Sequence, residues 1–283
     1  MELNEYIFQL VKSCGVVANM MQKGIRNEGK DVDAIRGETK VHYEMRQAKT
    51  KVDEIVQEML LQGLYPYLSK DVFLDVEEDT KTRECYPLKD GNYGLIIDPI
   101  DGTLPYIYQE DCYSICLGIT YQNDFVLAIV YFPKSDVLYY HGNKSGCRYY
   151  PNASLTHFDE YQPLLLKPSH HRHVIVKNSR VHSSILDLFK DYTILDDSEP
   201  GLNCPKAILQ CMDGKIDAYI CDHRNLRNVL LAVIYSHVDG VYCVGEDGSK
   251  IKWKKAGRQP FLLLTHEVFI TRLLISEKKQ KNN

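Results

Sequence analysis

Leu95-Ile96-Ile97-Asp98-Pro99-Ile100-Asp101-Gly102-Thr103 is the stretch on which the reading turns. Its opening is a short continuous apolar run of the kind that forms a buried strand, and the run ends on Asp98-Pro99. Asp98 and Asp101 then stand three residues apart at the strand exit. Pro99 has a fixed φ and Gly102 admits a conformation closed to other residues, so the turn is rigid. Both carboxylates can face one point with the Ile100 carbonyl between them, an all-oxygen set suited to a hard cation such as Mg²⁺. Thr103 follows at an expected helix start, where free N–H groups favour a phosphate. Asp-Pro or Asp-Gly alone is an ordinary solvated turn. The full hexapeptide after a strand favours a site.

Upstream, Leu3, Tyr6, Ile7, Leu10, Val11, Cys14, Val17, Ala18 and Met21 recur at helical spacing and predict a long amphipathic helix. Asn27 to Thr39 is polar and glycine-punctuated, a surface loop or flap. Val52, Ile55, Val56, Met59, Leu60 and Leu64 predict a second helix, closed by Pro66 and Ser69. Downstream, Tyr113 to Tyr121 alternates as a half-buried strand does, and Phe125 to Phe132 and Val137 to Tyr140 continue an antiparallel meander. Pro151 to Pro168 reads as loop. Beyond it, strands at Val174–Val176, Ile216–Ile220 and Val241–Val244 alternate with helices at Ser183–Lys190, Pro205–Met212 and Leu226–His237. This organisation places a boundary near residue 155, giving an α+β domain over 1–155 and an α/β domain over 156–283. Lys278 to Asn283 reads as a frayed tail.

Composition narrows the class. At roughly 150 residues per domain, 283 residues make one large domain or two ordinary ones. With 34 Lys and Arg against 38 Asp and Glu the net charge is −4, so no global positive field draws in nucleic acid. Tyr113 to Asn123 and Asn228 to Val238, the longest uncharged apolar stretches, fall short of the ~20 residues of a membrane span. Glu2 and Glu5 stand where a secretory signal carries basic residues, so a cytoplasmic location is expected. Nine scattered cysteines without a C-x-x-C pair read as buried free thiols. His170, His171 and His173 read as exposed loop, since neighbours on an extended chain face opposite ways. Tyrosine is enriched at protein interfaces, so the twenty present leave a homodimer open.

Two further segments carry acids. Thr50-x-x-Asp53 has the form of an N-terminal capping box. Glu77-Glu78, at the end of Val72-Phe73-Leu74, is a surface pair or the source of a third acidic ligand. In order and spacing, T-x-x-D, E-E, D-P-I-D-G-T and a meander resemble the inositol monophosphatase superfamily of Mg²⁺-dependent, lithium-sensitive phosphatases, over nearly the whole chain. The resemblance implies a layered α-β-α-β-α sandwich of sugar-phosphatase type with its site in the cleft between the domains. It implies that Glu77, Asp98, the Ile100 carbonyl and Asp101 bind magnesium, that Asp53 and Thr103 orient or activate the attacking water, and that the Gly102 and Thr103 amides hold phosphate. The physics agrees, because metal-bound water supplies a nucleophile and cations neutralise a transferring phosphoryl group.

The chain departs from the family pattern late. Gly214-Lys215-Ile216-Asp217-Ala218-Tyr219 is similar to its G-x-x-D-A-Y segment, but W-D-x-A-A is absent. Counting back from Asp239-Gly240 puts the metal-binding aspartate near Arg227 or Asn228, with Asn228 the equivalent if one residue is deleted; an amide brings no negative charge. Asp222 is a ligand only if its loop has shifted. Lys49 replaces a valine; it reads as a solvated lysine, and turned inward it would oppose metal binding. Ser179-Arg180-Val181-His182 resembles the S-R-S-H of the bisphosphate nucleotidase branch, which implies a substrate role for Ser179, Arg180 and His182; a helix-start turn capped by Ser183 is the alternative. The expectation is Mg²⁺-dependent hydrolysis of a small phosphate monoester, inositol phosphate-like or 3′-phosphoadenosine 5′-phosphate. Its rival is a catalytically weak or inactive relative that binds a phosphorylated ligand or a protein partner.

Overall fold

Three-and-four spacing closes the first segment into α1 (Leu3–Met21), which buries Ile7, Phe8, Val11, Cys14 and Ala18 on one face. The structure, a computed structural model, describes residues 2–33, 40–68, 71–86, 91–168, 171–199, 201–253 and 257–281. After α1 come α2 (Lys40–Gln47), α3 (Lys51–Leu68), β1 (Val72–Val76), β2 (Tyr93–Asp101), α4 (Thr103–Ile107), β3 (Ser114–Tyr121), β4 (Asp124–Phe132), β5 (Val137–Gly142), β6 (Gly146–Pro151) and β7 (Gln162–Pro163). The rest comprises β8 (Val174–Lys177), α5 (Ser183–Leu186), β9 (Thr193–Asp196), α6 (Cys204–Met212), β10 (Ala218–Cys221), β11 (Arg224–Asn225), α7 (Leu230–Tyr235), β12 (Tyr242–Val244), β13 (Arg258–Gln259), β14 (Leu262–Thr265) and α8 (Val268–Lys281).

Strands β1 to β7 form one sheet in chain order, with β1 and β2 parallel and the rest antiparallel. A second sheet runs β12-β14-β10-β8-β9, parallel across β10, β8 and β9. Period-two alternation sorts the first sheet between two cores. Leu95, Ile97, Leu117 and Ile129 join the cluster under α1 and α3, while Ile96, Cys116, Ala128 and Val130 join the one under α6 and α7. That second cluster also takes Val176, Tyr219 and Leu264 of the second sheet, whose opposite face (Ile175, Ile220, Leu263) packs on Ile270 and Leu274 of α8. The layers therefore run helix, sheet, helix, sheet, helix, as the sequence led us to expect.

Four local readings change. Helix α3 runs on through Pro66 to Leu68, because Leu64 and Leu68 keep its apolar face buried past the proline. Strand β3 is covered on both faces rather than one, Ser114 to Thr120 all being buried. The loop expected over 151–168 contains β7, which pairs with β6. Residues 278–281 of the expected tail belong to α8; 282 and 283 lie outside the described residues. The described part of the flap, 27–33, has no regular structure, while 34–39 lie outside. His171 and His173 are exposed, and His170 lies outside the described residues. Seven of the nine free cysteines are buried. Among the described residues no helix is long and apolar enough to cross a membrane.

Candidate active site

The Asp98–Thr103 turn is built by a break in a sheet. Strand β2 pairs with β3 as far as Asp98 opposite Cys116 and again at Asp101 opposite Ser114, with a register shift between. Both acids are buried. Gly102 sits at φ 95°, and a Cβ there would lie 2.8 Å from Asn203 Nδ2 and 2.9 Å from the Cys112 carbonyl, so only glycine fits. Asn203 donates its amide to that carbonyl and accepts from Lys206 N at 2.9 Å, capping α6. The segment packed against Gly102 is thereby fastened to the start of α6. Nothing near Asn203 in the chain marks this role; its position before Cys204-Pro205 signals a cap alone.

Asp53 enters from the first turn of α3. Its Oδ2 accepts from Thr50 N at 2.8 Å and Thr50 Oγ1 at 2.7 Å, the return half of a capping box, while Thr50 Oγ1 accepts from Val52 N at 3.2 Å. Oδ1 lies 3.1 Å from Thr103 Oγ1, which is also 3.0 Å from the Ile100 carbonyl; with one proton, the hydroxyl donates to one of them at a time. Burial raises the Asp53 pKa to about 7 against the hydrogen bonds from Thr50, with Glu77 and Glu78 adding to the rise. A carboxyl pushed up to about 7 by burial and touching a hydroxyl on the cavity wall has the properties of a general base.

Acids and cations interleave beside it. Lys30 Nζ lies 2.6 Å from Glu77 Oε1 and 2.6 Å from Glu78 Oε1. It is carried by an arm whose N–H groups at Glu28 and Lys30 bond the Lys49 and Gln47 carbonyls at 2.8 Å. From the turn Leu226–Val229, Arg227 reaches Asp75 at 3.1 Å, Glu77 Oε2 at 3.6 Å and Asp98 Oδ2 at 4.0 Å, and Asn228 Nδ2 donates to Asp98 Oδ2 at 2.7 Å. Lys49 is not the solvated lysine expected: it pairs with Glu54 at 2.7 Å and Glu78 at 3.3 Å, because the turn into α3 points it at that acidic edge. Burial pushes the Glu77 carboxyl up, but Lys30 and Arg227 hold it below its ordinary value. Asp98 is raised well above its own, by burial and then by Glu77 and Asp101. Asp101 is pushed up to about 7 by burial, with Arg224 opposing and Glu77 and Asp197 adding. Sequence reasoning passed over Lys30, which stood in an unremarkable polar loop.

Of these groups Lys30, Glu77, Asp98, Asp101, Arg224, Arg227 and Asn228 line a cavity of about 790 Å³ together with Gly102, Thr103 and Asn203, while Asp53, Lys49, Asp75 and Glu78 stand behind its wall. Ser179 and Arg180 also line it; His182 and Asp222 are not among its lining residues. His182 instead caps α5, accepting from Ser184 N at 3.2 Å, the role expected of Ser183. Asp222 Oδ1 lies 2.7 Å from His223 Nδ1. The wall carries seven basic side chains (Lys30, Arg46, Lys177, Arg180, Arg224, Arg227, Arg258) against five acidic ones (Glu77, Asp98, Asp101, Asp196, Asp197). A chain of net −4 thus concentrates positive charge in its cleft.

A model of the inositol monophosphatase family matches residues 2–225. The chain belongs to that family. It is thereby a hydrolase of the phosphatase class. No curated protein matches it. Among solved structures it is similar to a staphylococcal IMPase-I complexed with products (17% identity, 96% of each chain, TM-score 0.68). It is also similar to an IMPase/NADP phosphatase complexed with Mg²⁺ and phosphate (18%, 96% of this chain and 94% of that one, 0.65) and to a Thermotoga maritima IMPase (14%, 98% and 99%, 0.65). At these identities the likeness is one of fold.

One family property can be tested against these side chains: the magnesium that the resemblance implies. Asp98 Oδ1 and Asp101 Oδ2 are buried without a hydrogen-bond partner among the described residues, as oxygens awaiting a cation would be. The other donors are engaged. Glu77 gives one oxygen to Lys30 and the other to Arg227, Asp98 Oδ2 takes the Asn228 amide, and the Ile100 carbonyl shares the Thr103 hydroxyl with Asp53. Among the described residues no group of three or more His, Cys, Asp or Glu side chains is disposed to hold a metal ion. The residues present do not fit the implied magnesium set.

Proposed function

We propose that this chain hydrolyses a small phosphate monoester bearing a second anionic group, with Asp53 taking the proton of the attacking water through or beside the Thr103 hydroxyl. The observation that carries the reading is the 3.1 Å contact from buried Asp53 to Thr103, which lines a cavity with more basic than acidic side chains. Phosphoryl transfer asks a protein chiefly for positioning and for charge that neutralises the moving group. The Gly102 and Thr103 amides are the place for the phosphate. The outer cations, Arg46, Arg180 and Arg258, suit the second anion. In support, Arg180 is held below its usual value by burial and then by the nearby Arg258, Arg224 and Arg46, a repulsion that an anion would relieve. Magnesium, expected from the resemblance, has no step in this reading.

A second reading, binding with little turnover, is favoured by Lys30, Arg227 and Asn228 standing among the acids. Phosphate release from inositol 1-phosphate, NADP, 3′-phosphoadenosine 5′-phosphate and fructose 1,6-bisphosphate, each with Mg²⁺ and with EDTA, separates the two. Release from at least one, lost in Asp53→Asn, is the outcome expected. No release from any, with tight binding of one of them, leaves the second reading.

A further inference from the structure

We propose that Lys30 and Arg227 stand in place of divalent cations, so that the acidic centre carries its counter-charge on its own chain and takes up no Mg²⁺. Two segments far apart in sequence make the same substitution. The arm before α2 puts an ammonium 2.6 Å from both Glu77 Oε1 and Glu78 Oε1, and the turn before α7 puts a guanidinium 3.6 Å from Glu77 Oε2 and 4.0 Å from Asp98 Oδ2. One displaced residue could be incidental, but two cations closing on both oxygens of one carboxylate balance it from either side. Asn228 completes the exchange by turning an N–H, not an oxygen, toward Asp98 at 2.7 Å. Magnesium demands near-octahedral oxygen coordination and sheds water reluctantly. Here it would meet two unpartnered carboxyl oxygens, Asp98 Oδ1 and Asp101 Oδ2, and two fixed positive charges beside them. The exchange also fits the chain's own covalent logic: a side-chain cation cannot dissociate, so the centre stays balanced whatever the metal concentration.

The corollary, that a phosphorylated ligand binds without metal, rests on the phosphatase reading; the refusal of metal does not. The test uses the full chain after EDTA treatment and dialysis. Titration with MgCl₂ alone is expected to give no saturable heat by calorimetry and no movement of Tm, while inorganic phosphate raises Tm equally in EDTA and in Mg²⁺. Saturable Mg²⁺ uptake that Asp98→Asn abolishes, or a phosphate effect that requires Mg²⁺, overturns the proposal. In a Lys30→Ala/Arg227→Asp double variant whose circular dichroism shows it folded, a Mg²⁺-dependent rise in Tm is expected. A folded variant that still ignores Mg²⁺ shows that these two cations are not what excludes it, and also overturns the proposal. If phosphate moves Tm under neither condition while Mg²⁺ is still refused, the stand-in assignment holds and the phosphatase reading falls.

Discussion

Asp53 divides its two oxygens between two tasks: Oδ2 closes the capping box with Thr50, and Oδ1 faces Thr103. Asp53→Asn keeps an acceptor for the box but no base, so kcat is expected to fall by about 10² to 10⁴ with circular dichroism unchanged. In the parent protein kcat/KM should rise with pH through an apparent pKa near 7, the value to which burial pushes this carboxyl. Stability should move the other way. Asp53 and Asp101 have folded-state values of about 7, above those of the unfolded chain, so the neutral form is favoured by folding. Their contribution is present in full below the unfolded value near pH 4 and is lost as pH rises through 7. Urea unfolding at pH 5 and pH 8 should therefore show a fall that Asp101→Asn reduces by roughly 1–2 kcal/mol. Asp98, Asp101, Gly102 and Thr103 were legible because their chemistry lies within six consecutive residues. Lys30 and Asn203 were not, since their meaning comes from Glu77, 47 residues on, and Cys112, 91 residues back.

At the scale of elements, the turn at Gly102 packs against the start of α6. Asn203 caps it with Oδ1 and holds the Cys112 carbonyl with Nδ2, so Asn203→Ala removes both bonds. A loss of about 1 kcal/mol from the cap alone is expected in denaturant unfolding. The weakened hold on Cys112, beside Gly102, should add a loss of phosphate affinity, read by calorimetry, that removing the α5 cap with His182→Ala does not produce. Helix α1 and β3 were legible because their periods are clean over eight or more residues, and β4 and β5 because turn-forming clusters at Gln122–Asp124 and Pro133–Asp136 mark them off. Strand β14 was not: Leu262-Leu263-Leu264 is an apolar run without a period, and such a run does not distinguish strand from helix. Strand β3 shows the same limit from the other side. Its alternation is real, yet both of its faces are covered, because α6 and α7 arrive from a part of the chain that alternation within β3 cannot report.

Over the whole molecule, charge is distributed against its average: net −4 for the chain, seven basic against five acidic side chains around the cleft. Anion binding should weaken as ionic strength rises, since exposed charges are screened within about 8–10 Å at physiological salt. Arg180→Ala should flatten that dependence and cost more affinity for a doubly phosphorylated ligand than for a singly phosphorylated one, measured by calorimetry at two salt concentrations. The layering was legible through family resemblance and period together, but the neutralised centre was not, because it depends on which segments meet across the cleft. Arg227 makes that meeting tangible. It comes from the turn before α7 and grips Asp75 on β1, which also accepts from Gly257 N at 2.6 Å, just before β13. The same guanidinium that balances Glu77 through Nε holds Asp75 through Nη1. One side chain is thus both clasp and counterweight, so that Arg227→Ala should cost stability and leave Glu77 unbalanced in a single stroke.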